Sequence, residues 1–167
     1  MFTCATALLI SFNFGLACPR VSPDQLPDKV KLIIENASEI ELYSLDPKSS
    51  AKSPSKDRGF HGWIVLGKTT LKDTSKKQQI LDAIKKGVAN GKQGARCFWP
   101  RHGIRAKSKG ETVDLVICFE CSWVYVFYDE KSDRDSILTT DESALELLNA
   151  TLKEAKVPLP DPPKFKE

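Results

Sequence analysis

The feature that most constrains the fold is a run of β-type residues that turns back on itself. Lys109-Gly110 is a turn signal, and the stretch Thr112–Tyr128 after it is rich in aromatic and β-branched residues. This stretch is far longer than a typical strand of about 5–6 residues, so we expect a bulge or bend near Glu120-Cys121-Ser122. Two shorter strands are expected before the turn, at 95–98 and 104–107. The pattern predicts antiparallel strands in this half of the chain.

The remaining elements fix the fold class. Apolar residues recur at helical spacing over 27–37, between Thr74 and Asn90-Gly91, and from Thr140 to Pro158. Strand patterns occur at 39–45, ending at Asp46-Pro47, and at 60–71. The order α-β-β-α, then a strand meander and a last helix, predicts an α+β fold: an antiparallel sheet with helices packed mainly on one face.

The domain organisation follows from length and composition. A chain of 167 residues, 41% of them hydrophobic, can bury one sizeable core. We expect a signal peptide over residues 1–17, one α+β domain over 18–160 and a C-terminal tail over 161–167. Within the domain, the Ser/Lys-rich stretch 48–59 is expected to be a mobile loop because it buries little apolar surface.

The N-terminus resembles an export signal. No charged residue precedes Arg20, and the apolar run is much shorter than the ~20 residues of a membrane-spanning helix. Small residues at 15 and 17 suit cleavage after Ala17, which would leave Cys18 as the first residue and a lipidation candidate. The alternative is a buried N-terminal strand or helix. We expect an extracytoplasmic protein, periplasmic or tethered to the membrane through Cys18.

Three cysteines and a histidine concentrate in the β-rich stretch: Cys97, His102, Cys118 and Cys121. They could supply a tetrahedral Cys3His site for zinc, although only Cys118 and Cys121 have the usual pair spacing. A hairpin that turns at Lys109-Gly110 instead places Cys97 opposite Cys121 or Ser122, where a disulfide can form. The third thiol would then be a small buried hydrophobe. A redox pair is disfavoured because Glu120 lies beside the thiols and raises their pKa.

Other polar residues near this centre offer further sites. Arg101 and Arg105 flank His102 and could bind a carboxylate or phosphate, or Arg101 could pair with Glu120 or Asp114. A hydrolase would need Cys97 or Cys118 as nucleophile, His102 as base and Asp114 or Glu120 to orient it. A lone histidine is more often structural than catalytic, and His61 has only a glycine-rich strand start in its favour.

The charge of the chain bears on its partners. Lys+Arg number 25 against 22 Asp+Glu, a formal net charge of +3, and the lysines are scattered rather than gathered into an aromatic-lined stripe. This distribution argues against nucleic acid as the main partner.

Three strings carry a family resemblance: Glu41–Pro47, Cys97–Arg105 and Ile117–Cys121. They resemble an uncharacterised family of bacterial proteins, often described as exported or lipid-anchored, over roughly residues 39–159. The resemblance implies a bacterial, extracytoplasmic setting. It implies no activity, cofactor or catalytic residue.

Taken together, the sequence predicts an exported globular protein with a non-enzymatic binding or structural role, no cofactor, and a structural Cys/His centre of disulfide or buried thiols. The alternative is a Cys3His zinc-binding protein or a thiol-dependent redox enzyme. The structural hypothesis predicts cysteines buried beneath Trp99, Phe119 and Trp123. The alternative predicts an exposed Cys118 or Cys121 with His102 within hydrogen-bond reach.

Overall fold

A computed structural model of the protein describes residues 25–50, 59–129 and 134–161, apart from the side chains of residues 49 and 50. Its helices are α1 (Asp28–Asn36), α2 (Thr74–Ala89) and α3 (Leu145–Glu154), the last preceded by a 3-10 turn at Glu142–Ala144. Its strands are β1 (Ile40–Ser50), β2 (Gly59–Phe60), β3 (Trp63–Leu71), β4 (His102–Ser108), β5 (Glu111–Cys118), β6 (Trp123–Tyr128) and β7 (Ser136–Thr139). None of the described helices is long and apolar enough to cross a membrane.

The strands form one sheet in the order β2-β3-β1-β4-β5-β6-β7, and every neighbouring pair is antiparallel. Two tight hairpins shape it. Residues His61-Gly62 and Lys109-Gly110 have positive φ, and each pair links two strands through a two-residue turn. Turns of this kind match the right-handed twist of the strands that they connect. The expected hairpin at Lys109-Gly110 is therefore confirmed.

All three helices cover one face of the sheet, which we call the helix face. Apolar residues at helical spacing bury one side of each helix, and the Asp73 side chain caps α2 by accepting a hydrogen bond from the Lys76 N–H at 2.7 Å. The core between helices and sheet includes Val30, Ile34, Ile84, Val88, Leu148 and Leu152 from the helices. The predicted fold class, an α+β fold with helices mainly on one face of an antiparallel sheet, is confirmed.

Alternation along the strands assigns each side chain to a face. Ile104, Leu115 and Val126 point to the helix face and belong to its core. The opposite face, called the open face below, carries a second and smaller cluster, in which Tyr43, Leu45, Phe60, Val116 and Phe127 are buried. Trp63, Val65, Phe98 and Tyr125 pack against that cluster. Both faces of the sheet are therefore apolar near its centre.

The long β-type stretch is divided as expected. β5 ends at Cys118, residues 119–122 form a turn with Ser122 at φ 57°, and β6 begins at Trp123. Cys118 then pairs with Trp123 across the two strands. The bend predicted near Glu120-Cys121-Ser122 is confirmed.

Several boundaries were predicted wrongly. β1 does not stop at Asp46-Pro47 but continues to Ser50, with an irregular register between Asp46 and Ser50 that accommodates the proline. The expected loop at 48–59 therefore begins as strand and ends at Gly59, which belongs to β2. The rest of this loop, residues 51–58, lies outside the described residues. No strand forms at 95–98, and β7 was not foreseen. The signal peptide, Cys18 and all of the tail except Asp161 also lie outside the described residues.

Gly103 on β4 makes room for the β2–β3 hairpin. A methyl group at this position would lie 2.6 Å from Cε1 of Phe60, which is a steric overlap with a buried ring. We expect Gly103→Ala to lower the free energy of unfolding by about 1–3 kcal/mol, as overpacking does. Urea unfolding monitored by far-ultraviolet circular dichroism would measure it.

Phe60→Ala provides the control background for that substitution. If the overlap causes the loss, Gly103→Ala costs much less when Phe60 is already alanine. Equal costs in both backgrounds would show that the Phe60 ring is not what restricts position 103.

Candidate functional site

The structure brings the three cysteines of the β-rich stretch together. The sulfur atoms of Cys97 and Cys121 lie 2.7 Å apart. The Cys118 sulfur accepts hydrogen bonds from the backbone N–H of Trp99 at 3.3 Å and of Cys121 at 3.1 Å. Because Cys118 ends β5 and Cys121 lies in the turn after it, the bend puts both thiols beside the segment that carries Cys97.

Two of these thiols are buried and one is exposed. Cys118 and Cys121 are almost fully buried, as the structural hypothesis predicted, but Cys97 is exposed. Burial is the main reason that the pKa of Cys118 is raised. The pKa of Cys121 is also raised, first by burial and then by hydrogen bonds with Cys118 and Cys97. Both buried sulfurs are therefore protonated near neutral pH, which does not suit a catalytic nucleophile.

His102 does not join the cysteines. His102 on β4 pairs with Ile117 on β5, so its ring lies on the helix face, as the Ile117 side chain does. Cys118 follows Ile117 along β5 and therefore points to the open face. On the helix face, Nε2 of His102 lies 2.9 Å from Oδ1 of Asn149 on α3, and the His102 ring meets Phe119 edge-on. The sheet therefore separates the histidine from the thiols. Among the described residues no group of three or more His, Cys, Asp or Glu could hold a metal ion.

The chain between α2 and β4, residues 91–101, is held against the β5–β6 turn without forming a helix or strand; we call it the connecting segment. Ala95 N–H donates to the Cys121 carbonyl at 3.0 Å, and the Trp123 indole donates to the Ala95 carbonyl at 2.7 Å. Further along, Arg101 N–H donates to the Ile117 carbonyl at 3.2 Å. These bonds satisfy backbone groups that a strand would otherwise have paired.

The two arginines that flank His102 each contact a carboxylate. Arg101 Nε lies 2.7 Å from Oε1 of Glu120, which confirms one of the two pairings expected for Arg101. Arg105 binds Asp114 with both Nε and Nη2, at 2.8 Å and 2.6 Å. The structure thus joins each guanidinium to an acid of this chain.

The open face holds a groove of about 420 Å³. Aromatic rings form most of its lining. Phe98 of the connecting segment stacks on Tyr125 with centroids 3.7 Å apart, Trp63 meets Phe98 edge-on, and the Arg134 guanidinium lies over Tyr125. The lining residues are His61, Trp63, Phe98, Val116, Tyr125, Phe127 and Arg134. We call this cavity the aromatic groove.

His61 connects the aromatic groove to a buried ionic group. It occupies the β2–β3 turn, yet its ring is largely buried and stacks on Phe127 at 3.8 Å. Its Nε2 lies 2.7 Å from Oδ2 of Asp114, the acid that also binds Arg105. Asp114 itself is fully buried.

The protonation state of this group follows from its contacts. Burial alone would raise the pKa of Asp114, but hydrogen bonds from Arg105 and His61 outweigh it and lower that pKa. Asp114 is therefore a carboxylate, which only accepts hydrogen bonds, and Nε2 of His61 must carry the donated hydrogen. In neutral His61 the other nitrogen, Nδ1, is then an acceptor.

Sequence reasoning gave His61 little weight, and two signals were available. Phe60-His61-Gly62-Trp63 reads as a two-residue hairpin turn between aromatic residues, and histidine is among the residues that tolerate positive φ. Asp114 stands inside an apolar strand pattern, and a carboxylate there requires a cationic or donor partner. Only the fold shows that these two residues meet.

Comparison with known proteins gave no match: no protein-family model, no curated protein and no solved structure matches the chain.

Burial of His102 makes the stability of the fold depend on pH. Burial lowers the pKa of His102 from 6.5 to about 4, and its Nδ1 is buried without a hydrogen-bond partner among the described residues. The neutral ring therefore stabilises the folded state above about pH 6.5, and this contribution is lost as the pH falls towards 4. Between about pH 7 and 5 we expect the loss of about 2 kcal/mol from this residue.

Urea unfolding of the wild type and of His102→Gln at both pH values would test this. Glutamine can still bond to Asn149 but does not titrate, so its stability should fall by about 2 kcal/mol less over the same range. The same fall in both proteins would assign the pH dependence to other groups.

Proposed function

We propose that this protein is an exported, non-enzymatic binding protein whose aromatic groove holds a small ligand with a flat ring. The observation that carries the proposal is the lining of the aromatic groove. Rings at positions 61, 63, 98, 125 and 127 surround a space of about 420 Å³. Cavities of roughly 300–1,000 Å³ with apolar and aromatic walls and a few polar groups are typical of small-molecule sites.

Preformed geometry supports this role. Phe98 stacks on Tyr125, and His61 stacks on Phe127. Within each pair, one ring therefore holds the other in place before a ligand binds. A ligand that contacts rings held in this way immobilises few additional side chains, which reduces the entropic cost of binding.

Polar groups at the aromatic groove favour a ligand that is anionic at one end. Arg134 is exposed and lies over Tyr125, with its Cζ atom 4.6 Å from the ring centroid. Its guanidinium can pair with a carboxylate, sulfonate or phosphate. His61, whose Nε2 donates to Asp114, contributes a hydrogen-bonding edge at the same cavity. Ring stacking and one charge interaction together define the class of ligand.

The environment of the buried thiols favours a structural rather than a catalytic role for them. Burial raises the pKa of Cys118 and Cys121, and His102 lies on the other face of the sheet. A nucleophile and base are therefore not paired there. The neighbouring connecting segment supplies Phe98, so the thiol centre supports a wall of the aromatic groove.

The fluorescent probe 1-anilinonaphthalene-8-sulfonate tests the aromatic groove, because it combines flat rings with an anionic group. We expect saturable binding at one site. The affinity should be about tenfold weaker in Phe98→Ala, because the lost contact between the Phe98 ring and the rings of the probe is worth about 1.5 kcal/mol. Fluorescence titration of the folded protein measures it.

Trp99→Ala is the matched control for that substitution. Trp99 belongs to the same segment and is also aromatic, but it is 54% exposed and does not line the aromatic groove. We expect it to bind the probe like the wild type. Equal affinity of the wild type and Phe98→Ala, or an equal loss in both variants, would reject the groove as the binding site. Circular dichroism of each variant confirms that it is folded.

The proposed export depends on the apolar N-terminus and on Ala17-Cys18. Expression of the full chain in a bacterium, followed by fractionation and intact-mass measurement, should show the loss of residues 1–17. A lipidated Cys18 would add a diacylglyceryl mass and place the protein in the membrane fraction, and Cys18→Ser should release it. An uncleaved chain in the cytoplasmic fraction would contradict export.

A further inference from the structure

We propose that Cys97 and Cys121 form a disulfide, that Cys118 remains a buried thiol, and that the bond holds Phe98 in the wall of the aromatic groove. The pairing stands on geometry alone. The link to ligand binding rests on the proposed function. The starting observation is that the Cys97 and Cys121 sulfurs lie 2.7 Å apart across 24 positions of sequence.

The contacts of each sulfur distinguish the pair from the third cysteine. Cys97 and Cys121 face one another, and a shift of less than about 1 Å brings two sulfurs at this distance to the length of a disulfide. The Cys118 sulfur also contacts the Cys121 side chain, but it accepts two backbone N–H groups, from Trp99 and Cys121, which hold it in place. It is fully buried at the end of β5 and closed to small reagents.

The exchange reaction can begin at Cys97, because it is the exposed member of the pair. With a small disulfide as oxidant, the Cys97 thiolate attacks one sulfur, forms a mixed disulfide and releases one thiol. Cys121 then loses its proton and attacks the Cys97 sulfur, which releases the second thiol. Overall, two protein thiols give up two protons and two electrons, and the oxidant takes them up.

The bond would act on the aromatic groove because Phe98 directly follows Cys97. The connecting segment has no helix or strand of its own, and its contacts with the β5–β6 turn are a few hydrogen bonds, such as Ala95 N–H to the Cys121 carbonyl. A covalent link at Cys97 fixes the backbone next to Phe98. The Phe98 ring is then held against Tyr125, 3.7 Å away, on the neighbouring β6.

Peptide mapping of the full chain after incubation with oxidised glutathione tests the pairing. Free thiols are first blocked with iodoacetamide under denaturing conditions. Trypsin then releases Cys97 in the peptide 97–101, and a glutamate-specific protease cuts after Glu120, between Cys118 and Cys121. We expect peptide 97–101 linked to the peptide that begins at Cys121, and an alkylated Cys118.

Two measurements test the effect on the connecting segment. The first is trypsin cleavage of the native protein at Lys92 and Arg96, which should be several-fold slower in the oxidised protein than after reduction. The second is the affinity for 1-anilinonaphthalene-8-sulfonate, which should fall several-fold on reduction. Cys97→Ser should behave like the reduced wild type and ignore reductant. Cys118→Ser, the matched control, should keep both responses.

The outcomes separate this inference from the proposed function. The pairing would be overturned by a disulfide that includes Cys118, or by alkylation of Cys97, Cys118 and Cys121 together after oxidation. A zinc mass in native spectra with these three thiols protected would also overturn it. A mapped Cys97–Cys121 bond with unchanged cleavage and probe affinity on reduction would overturn the coupling. If the probe binds neither the oxidised nor the reduced protein, the groove proposal fails. Slower cleavage of the oxidised protein would then still show that the disulfide holds the connecting segment in place.

Discussion

The open face of the sheet depends on one buried carboxylate. Asp114 is fully enclosed, and a charge in that position costs several kcal/mol unless its oxygens are paired. Arg105 supplies two hydrogen bonds from the adjacent β4, and His61 supplies a third from the β2–β3 turn. Because His61 belongs to a hairpin at the edge of the sheet, this bond draws the hairpin across the open face. Phe60 then rests on Gly103, and Trp63 reaches the aromatic groove.

The sheet also separates two polar systems that the sequence places side by side. Positions 117 and 118 are consecutive, yet their side chains lie on opposite faces. His102, across from Ile117, is enclosed by the helix-face core and bonds to Asn149. The thiols collect on the other side, at the bend between β5 and β6. The imidazole and the three sulfurs therefore have different environments and different chemistry.

The connecting segment lies beside the thiols and contributes to the aromatic groove. It passes over the β5–β6 turn, where Cys121 and Trp123 contact it, and it supplies Phe98 to the aromatic groove. One wall of the groove thus comes from a segment without regular secondary structure, while Tyr125 and Phe127 come from the hydrogen-bonded strand β6. Such a combination gives a cavity whose floor is fixed by the sheet and whose wall depends on a few local bonds.

The sequence alone determined the helices, the hairpin at Lys109-Gly110 and the bend after Cys118, because periodicity and turn residues act over a few positions. It also predicted Cys97 opposite Cys121 or Ser122, but by a hairpin strand at 95–98 that does not form: the contact with Cys121 arises because the connecting segment lies against the β5–β6 turn. It could not foresee β7, whose four residues gain their pairing only from β6. Nor could it place His61 beside Asp114, 53 positions away, or put His102 on the face opposite the thiols. Those relations depend on how separate strands pack and pair in the sheet, so only the tertiary structure decided them.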